Sequence, residues 1–461
     1  MAKRKLSMLD SSFLQLEAAA MPMHIAGLSI FTIPEGKGQE FVGELVEKFR
    51  ACKVFRNPWN YYLKRPSRFQ FQPELKETFD VDMEYHVRHL ALPRPGGERE
   101  LGQIVARVHS QPLDFRRPLW EVHFIEGLEN NRFAVYMKMH HCLVDGVSGM
   151  RLLVGSLSDR ADDPMQLPFW AAGSDNKKIT PPQNKKLQLP TVRDTVNFAK
   201  EISRVWLGRG EDLVTPRSAP KTVLNGRIYN QRRFATHVEE LPRIKAIAEA
   251  AGCSLNDLVL ALSGTVLREY LLSHDALPRE SLTVSIPVSL HQPGDTELKN
   301  NIAQILASLG TNIADDKTRL EAISRSTQSA KDQLQKLPHS LRGVFGSLVM
   351  APYFATVFSG LAGRVKPSFN IIVSNVPGPQ KPLYLFGAKM EHFYPVSIPT
   401  HGSAMNLTCF SYDNKLHFGL TACRDSLPQM QRMAVALGEA VDRYEELFVG
   451  KTKPRLVSEA S

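Results

Sequence analysis

The first part of the chain alternates between two periods of apolar and polar residues. Residues 41–50 and 100–109 repeat apolar side chains every three or four positions, which predicts two amphipathic helices. Residues 120–125 and 133–140 predict strands, the second because apolar and more polar side chains alternate along it. The turn-rich residues 127–132 lie between them, so this pair is predicted to form a β-hairpin.

The second part of the chain shows the same mixture of periods. Residues 241–251 predict a helix, and Ser254-Leu-Asn-Asp257 has the pattern of a capping box ahead of the apolar residues 258–272. Further strands are predicted at residues 233–237, 282–290, 301–309, 370–374, 406–412 and 416–423. Strands and helices mixed in both halves predict an α/β or α+β fold, in which two similar layers meet at a cleft.

The length of the chain and the distribution of its prolines predict two halves. A chain of 461 residues exceeds what one hydrophobic core usually supports. Residues 1–160 form the predicted N-terminal half, and the proline-rich residues 161–232, with one helical patch at 192–206, form a crossover linker. Residues 233–450 form the C-terminal half, and we expect the basic tail 451–461 to be disordered.

Residues 343–363 contain no charged side chain and are long enough to cross a bilayer. Pro352 and several glycines dilute the hydrophobicity of this stretch, which favours a buried or membrane-touching helical hairpin over a span. Its apolar side chains could form the wall of a groove for a long hydrocarbon chain, with Val357, Gly360 and Leu361 as candidates. The alternative is an ordinary core helix.

The net positive charge of the chain favours some classes of binding partner over others. The formal charge of +10 comes from 57 Lys and Arg against 47 Asp and Glu, which suggests an anionic partner such as a phosphorylated cofactor or an acidic lipid. A solvated surface without a partner explains the charge equally simply. Nucleic acid is not expected, because the chain has neither a basic helix interleaved with aromatic residues nor zinc-finger spacing.

The cysteines indicate the cellular compartment. The chain has 5 cysteines, widely spaced and without a CxxC pair, which is typical of a reducing environment. The basic N-terminus has no apolar segment behind it, so a cleaved signal peptide is not expected. We therefore expect a cytoplasmic protein.

Residues 140–146 read His-His-Cys-Leu-Val-Asp-Gly and carry the chemistry of this chain. They follow a predicted strand and precede a predicted helix at residues 147–157, so a histidine here is held by a sheet edge yet open to a cleft. A histidine side chain, with its ordinary pKa of about 6.5, can accept a proton from an alcohol that attacks a thioester. The thiol that leaves needs only a returned proton, so no nucleophilic Ser or Cys is required.

Two other interpretations fit this stretch less well. Adjacent histidines after a strand could be structural side chains, which the following Asp-Gly makes the weaker hypothesis. A metal site from His140, His141 and Asp145 would lack an HExxH helix and a third compact set of ligands, so no metal is expected.

The heptad resembles the HHxxxDG signature of the CoA-dependent acyltransferase superfamily. More narrowly, the chain from about residue 6 to 445 resembles the bacterial bifunctional wax ester synthases/diacylglycerol acyltransferases. Further matching stretches, in the family's order, are Pro22-Met-His24, Pro118-Leu-Trp120-Glu121, Asn256-Asp257, Ser374-Asn-Val-Pro-Gly-Pro379 and Asn406-Leu407 ahead of Ser411-Tyr412. The chain departs from the family where Ala26 replaces the first of two glycines, before Gly27.

The resemblance implies roles for the residues of the heptad. His141 corresponds to the general base, His140 to a supporting neighbour, Asp145 to a structural brace and Gly146 to the turn into the helix. It also implies two chloramphenicol-acetyltransferase-like domains with a tunnel between them. Acyl-CoA would be the co-substrate, with no bound cofactor, and a fatty alcohol or diacylglycerol would be the acceptor at a membrane or lipid-droplet surface.

The candidate substrate-binding residues each allow two interpretations. Asn256 and Asp257 either cap a helix or line the tunnel, and the loop after residue 374 is either a rigid turn or part of the cleft. The substrate-binding candidates outside the apolar stretch are Asn256, Asp257, Ser374, Asn375, Pro377, Gly378 and Asn406. The oxyanion donor is left open among Ser374, Asn375, Asn406 and backbone amides.

Two rival functions remain at this level. One is an acyltransferase of the same superfamily that acts on another hydroxyl acceptor. The other is a catalytically silent lipid-binding protein, against which the intact heptad argues.

Overall fold

The computed structural model describes residues 3–38, 40–65, 67, 70, 73–144, 146–172, 192–208, 212–290 and 302–450. Asp145 of the heptad and the predicted tail 451–461 lie outside these described residues.

Two six-stranded mixed sheets form the centre of the molecule. The strands of the first sheet, in spatial order, are β12 (Tyr384–Leu385), β13 (Ala388–Val396), β2 (His24–Thr32), β7 (Arg132–His140), β6 (Trp120–Leu128) and β5 (Val87–Ala91). Strands β6 and β7 pair in antiparallel register from Trp120↔Met139 to Leu128↔Arg132, which confirms the predicted hairpin. The β5–β6 pair is parallel.

The second sheet comes from the later part of the chain. Its strands, in spatial order, are β10 (Ile302–Ser308), β9 (Thr283–Ser289), β11 (Ile371–Pro377), β14 (Met405–Tyr412), β15 (Lys415–Cys423) and β8 (Arg232–Glu240). Strand β11 runs parallel to both of its neighbours, whereas the other pairs are antiparallel. A small third sheet joins β1 (Lys3–Lys5), β4 (Glu74–Glu77) and β3 (Tyr61–Leu63). Mixed sheets covered by helices confirm the predicted fold class.

Helices cover both large sheets. They are α1 (Met8–Leu16), α2 (Glu40–Ala51), α3 (Met83–His86), α4 (Glu98–His109), α5 (Gly146–Val154), α6 (Phe169–Ala172), α7 (Val192–Leu207), α8 (Leu241–Ala250), α9 (Leu255–Ser273), α10 (Asp316–Gln335), α11 (His339–Phe358) and α12 (Arg432–Phe448). The predicted capping box is confirmed, since the Asp257 N–H donates to the Ser254 hydroxyl at the start of α9.

The two large sheets share a boundary at strand β13. This strand lies within the predicted half 233–450, yet it pairs with β2 of the first sheet from Lys389↔Thr32 to Val396↔Ala26. It also crosses β15 of the second sheet closely, because a Cβ on Gly419 would lie 1.9 Å from the Pro395 carbonyl oxygen. Sheet membership therefore does not follow the predicted division of the chain at residue 233.

The two faces of the first sheet pack against different partners. Apolar side chains at positions 133, 135, 137 and 139 of β7 join a core that also includes side chains of α2 and α5. Tyr136 on the opposite face joins a smaller core with Leu101 of α4 and Phe234 of β8. Helix α4 therefore fills the space between the first sheet and the edge of the second.

The apolar stretch 343–363 does not form the predicted hairpin, and this prediction is wrong. The chain continues as the single helix α11 through Pro352 and ends before Gly360, whose φ is +72°. Pro352 removes one backbone donor, but the helix continues past it to Phe358.

By length and hydropathy α11 could cross a membrane, and 28% of its most apolar window is buried. The pair α8 and α9, which are bent by 95° at their junction, passes the same test only when taken together. Much of α9 lies in the core of the second half, where Leu258, Val259 and Leu260 are fully buried.

Candidate active site

The heptad forms a strand end, a turn and a helix start. The His140 N–H donates to the Leu119 carbonyl (2.9 Å), which completes the pairing of β7. The next amide, of His141, donates to the Met23 carbonyl (2.9 Å), and the Leu143 N–H returns to the His140 carbonyl (3.0 Å). The turn is therefore anchored to the residues ahead of β2 as well as to β7.

His141 projects from this turn against the N-terminal helix. Its imidazole stacks on the ring of Phe13 in α1, with the ring centroids 4.0 Å apart and the planes inclined by 15°. The His141 side chain is partly exposed, whereas that of His140 is buried. Of the two histidines, His141 is therefore the one with exposed surface.

The ring of His140 has a hydrogen bond on Nδ1 and a carboxylate close to Nε2. Its Nδ1 accepts from the Cys142 N–H (3.1 Å), so the proton of the neutral ring lies on Nε2. Nε2 faces the Glu17 carboxylate (Oε2 at 3.4 Å), which also accepts from the Met23 N–H. These contacts support the predicted positioning role of His140.

Glu17 and Phe13 are site residues that the sequence analysis missed. Both come from α1 and its C-terminal end, and each contacts one histidine of the heptad. A signal was present, because Glu17 is an acidic residue placed directly after an apolar helical run and before Pro22-Met-His24. Its carboxylate is buried, at 7% exposure.

A buried charged layer lies behind the motif on β7 and β6. Lys138 is fully buried, and its Nζ contacts the Glu121 carboxylate (3.3 Å) and the Gln111 carbonyl (2.9 Å). Burial raises the pKa of Glu121, but the hydrogen bond from His123 and the charges of Lys138 and Arg88 outweigh it and lower the pKa to about 2. Glu121 therefore stays ionised, which compensates the lysine in the core.

His24, from the Pro-Met-His stretch, belongs to the same side of the sheet. Its Nε2 lies 3.0 Å from the His109 carbonyl, and His109 Nδ1 lies 2.8 Å from the Tyr136 hydroxyl. Burial, reinforced by nearby positive groups, lowers the pKa of His24 well below its usual value and that of His109 to about 3. Both rings are therefore neutral near pH 7 and act as buried hydrogen-bonding groups.

Trp120 packs in the core beside the motif strand. It is fully buried, its Nε1–H donates to the Trp59 carbonyl (2.7 Å), and its ring stacks on Trp170 at 5.4 Å. The Pro-Leu-Trp stretch thus fixes the start of β6 beside the motif strand.

The second half presents polar side chains towards the first sheet. On β14, Leu407 and Cys409 point into the core of the second half, so Asn406 and Thr408 occupy the opposite face. The Thr408 hydroxyl donates to Asn406 Oδ1 (2.7 Å) and lies 3.0 Å from the Ser397 hydroxyl. The register of β11 and β14 brings Ser374 beside Thr408.

The other candidate residues of the Ser374–Pro379 stretch do not all lie on the same face of β11 as Ser374. Asn375 lies on the opposite face of β11 from Ser374 and pairs with Cys409. Pro377 is exposed at the end of β11, and Gly378 approaches β14 so closely that a Cβ would lie 2.3 Å from the Phe410 ring. The Gly378 N–H donates to the Ser411 hydroxyl (3.1 Å), so this turn is fixed onto β14.

Asp257 holds two helices of the second half together. Its carboxylate accepts from the Ser254 hydroxyl (2.6 Å) and from the Thr327 hydroxyl of α10 (2.6 Å). Asn256 precedes it and is partly buried. The observed contacts of Asp257 are those of a cap, one of the two interpretations of this pair.

The remaining predicted positions are more exposed. Val357 packs partly on the core of the second half, whereas Gly360 and Leu361 at the end of α11 are exposed. Gly146 begins α5, and a Cβ there would meet no atom of the described residues within 4 Å, so space does not require glycine. The described residues contain no group of three His, Cys, Asp or Glu side chains that could hold a metal.

The arrangement of two paired mixed sheets covered by helices is shared with more distant proteins at the level of the fold. A condensation domain of a calcium-dependent antibiotic synthetase shares the fold, with a TM-score of 0.61 at 15% identity over 97% of this chain and 96% of its own.

The family profiles are more specific than the fold. The wax ester synthase/diacylglycerol acyltransferase catalytic domain matches residues 6–259, and the C-terminal domain of the same family matches residues 298–445. The chain therefore belongs to the wax ester synthase/diacylglycerol acyltransferase family, and it is an acyl-CoA-dependent O-acyltransferase. The resemblance noted from the motifs is confirmed.

Two relatives cover nearly the whole chain. The O-acyltransferase WSD of Acinetobacter baylyi is 37% identical over 96% of this chain and 97% of its own length. The wax ester synthase/diacylglycerol acyltransferase of Marinobacter aquaeolei VT8 has a solved structure, with a TM-score of 0.77 and 36% identity over 97% of this chain and 100% of its own.

Proposed function

We propose that the protein esterifies a long-chain alcohol or diacylglycerol with the acyl group of acyl-CoA, and that His141 is the general base. The hydroxyl oxygen attacks the thioester carbonyl while His141 takes its proton. The tetrahedral adduct then expels the CoA thiolate, which receives that proton, so ester and free CoA are the products. The observation that carries this proposal is the partly exposed imidazole of His141, which projects from a turn anchored on both sides.

The surrounding residues support this assignment. His140 is buried, with the Cys142 N–H on Nδ1 and the Glu17 carboxylate beside Nε2, so it can position the turn but cannot reach a substrate hydroxyl. Asp145 is proposed as the structural brace of the same turn, as in the resemblance. Acyl-CoA is proposed as a co-substrate rather than a resident cofactor.

The face of the second half that points towards the first sheet can supply the oxyanion donor. Ser374 and Asn406 lie on this face, whereas Asn375 lies on the other. An amide or hydroxyl hydrogen directed at the thioester oxygen would stabilise the charge that develops there. Ser374 and Asn406 are therefore our preferred donors among the candidates.

The experiment measures free thiol release by the purified protein supplied with hexadecanoyl-CoA and hexadecanol. The variant His141→Ala should lose about 10²–10⁴-fold in kcat, because proton transfer from the hydroxyl then lacks its acceptor. The variant His274→Ala, at an exposed histidine at the end of α9, is the matched control and should retain wild-type turnover. Full turnover in His141→Ala would exclude this base, and the absence of ester from the wild-type protein would exclude the reaction.

We further propose that a cytoplasmic pool of the protein contacts a membrane or lipid droplet through α11. The support is a stripe of exposed apolar side chains along this helix and just beyond it, at Val344 (49% exposed), Leu348 (38%), Phe358 (52%) and Leu361 (45%). Arg342 and Arg364 flank the charge-free stretch, which matches an anionic lipid surface. Both proposed acceptors partition into such surfaces.

A further inference from the structure

An apolar pocket opens inside the first half, on the same face of β7 as Met139. Its walls come from β2, β7, β13, α2 and α5 and include Gly27, Val135, Met137, Leu153, Phe49 and Phe393. The enclosed cavity is about 30 Å³, and the pocket reaches about 420 Å³ when the solvent-filled mouth is counted. Among the described residues that line it none is charged, and its polar side chains are those of Ser29 and Ser156. Such walls suit a hydrocarbon and not a headgroup or a phosphate.

Strand β7 connects this pocket to the catalytic turn. Val135 and Met137 line the pocket, Met139 follows on the same face, and β7 ends one residue before His141. At about 3.3 Å per residue, Met137 lies about 13 Å from His141 along the chain. A hexadecanoyl chain with its carbonyl at His141 is long enough to reach the pocket, and an octanoyl chain is not.

The layer between pocket and turn is also apolar. An added Cβ on Gly149 of α5 would meet Ile25 Cδ1, Met139 Sδ and Val144 Cγ2, each at 3.4 Å. Methionine is unbranched and has several rotatable bonds, so Met139 can change rotamer to let a chain pass. No charged side chain stands among these contacts.

We infer that the pocket binds the distal part of the linear hydrocarbon chain of one of the two substrates, and that Leu153 limits the length it accepts. This inference rests on the proposed function, because it takes the chain to be attached to a group that reacts at His141. Acyl and alkyl chains have the same chemistry in such a pocket, so the donor and the acceptor are distinguished by experiment.

Gly27 makes the geometry of the pocket possible. A Cβ at this position would lie 2.5 Å from Phe393 Cζ and 3.2 Å from Leu153 Cδ1. The side chains of Phe393 and Leu153 therefore occupy the space above Gly27 that a larger residue's side chain would need. Position 26 can hold an alanine, whereas at position 27 a Cβ would overlap Phe393, which is a physical reason for the glycine there.

The test compares chain-length profiles of three variants. Leu153→Phe fills the pocket, Leu153→Ala enlarges it, and Leu152→Ala removes the same side chain from a neighbouring core position that does not line it. One arm varies the donor from octanoyl-CoA to octadecanoyl-CoA with hexadecanol fixed. The other arm varies the alcohol from octanol to octadecanol with hexadecanoyl-CoA fixed.

In one of the two arms, Leu153→Phe should lower kcat/KM for the longest substrate at least about tenfold and leave the shortest nearly unchanged. Leu153→Ala should shift the same arm towards longer chains, and Leu152→Ala should lower all members of both series by one common factor. The arm that shifts identifies the chain in the pocket. Profiles of both arms that keep the wild-type shape would overturn the inference, whereas a wild-type protein without ester synthesis would overturn the proposed function itself.

Discussion

Glu17 is the residue through which the N-terminal helix reaches the histidine pair. Its carboxylate accepts from the Met23 N–H and faces His140 Nε2, while the Met23 carbonyl accepts from the His141 N–H. A single side chain therefore links both histidines of the heptad. It does not contact the reacting atoms, so its role is positional.

Replacing Glu17 by Gln should lower kcat about tenfold with little change in KM. The same carboxylate oxygen, Oε2, accepts from the Met23 N–H and faces His140 Nε2, so a glutamine oxygen in its place keeps both contacts but removes the negative charge that fixes the His140 ring. Single-turnover thiol release measures the effect. The exposed Glu47→Gln on α2 is the control, and a Glu17→Gln enzyme with wild-type kcat would contradict the role.

Sequence alone could single out His141 as the candidate base, but it could not find the residues that contact the histidine pair. The heptad is contiguous, so its spacing and the strand before it can be predicted from the sequence alone. Glu17 and Phe13 reach the histidines only through the packing of α1 on the β2–β7 edge, which no local pattern encodes. The buried pair Lys138–Glu121 was missed for a similar reason, since each residue alone looks like an ordinary polar position on a strand.

At the scale of the element, periodicity predicted β6, β7 and the helix after the heptad, but it missed α1 and β2 beside the histidine pair, and it missed β13. Its burial alternates only in part, and Lys389, Glu391 and Pro395 interrupt the apolar positions. Its place in the first sheet depends on pairing with β2, a long-range contact. The prediction for α11 failed differently, because Pro352 and the glycines suggested a reversal of the chain where the helix continues.

The exposed face of α11 makes membrane binding testable. The double variant Val344→Glu with Leu348→Glu should weaken co-sedimentation with phosphatidylcholine–phosphatidylglycerol vesicles at least about tenfold, because two apolar contacts are replaced by charges that the anionic surface repels. Turnover of detergent-dispersed substrates should remain within about twofold of wild type.

The matched control for this prediction lies on another helix. Val435 and Leu447 of α12 are also exposed, at 65% and 47%, and the variant Val435→Glu with Leu447→Glu should leave vesicle binding unchanged. Equal losses in both double variants would argue against α11 as the contact surface.

At the scale of the whole molecule, a buried and a half-buried histidine lie where the two sheets meet. His392 of β13 and His417 of β15 approach to 3.3 Å between ring nitrogens. Burial, together with Lys415, lowers the pKa of His392 to about 4, and burial and the neighbouring His392 lower the pKa of His417 to about 3. Both rings are therefore neutral near pH 7 in the folded protein.

Stability should therefore fall as the pH drops from about 6.5 towards 4. In this window the unfolded chain binds protons at these histidines and the native protein does not, so the free energy of unfolding decreases with falling pH. Each such histidine contributes at most about 1.4 kcal/mol per pH unit. Urea unfolding at several pH values measures the slope.

The variant His417→Gln should have a shallower slope than wild type, because one titrating group is lost from the unfolded chain and the protein core. The exposed His274→Gln should keep the wild-type slope. A His417→Gln slope equal to that of wild type would show that this ring does not titrate as its burial implies.

The crossing of β13 has a consequence for the engineering of this family. Strand Ala388–Val396 pairs with β2, and its Pro395 carbonyl lies close to Gly419. In a chimaera of two relatives joined near residue 232, the first sheet would therefore contain β2 from one parent and β13 from the other. Recombination between relatives should therefore transfer 384–396 together with the N-terminal part, as one discontinuous module.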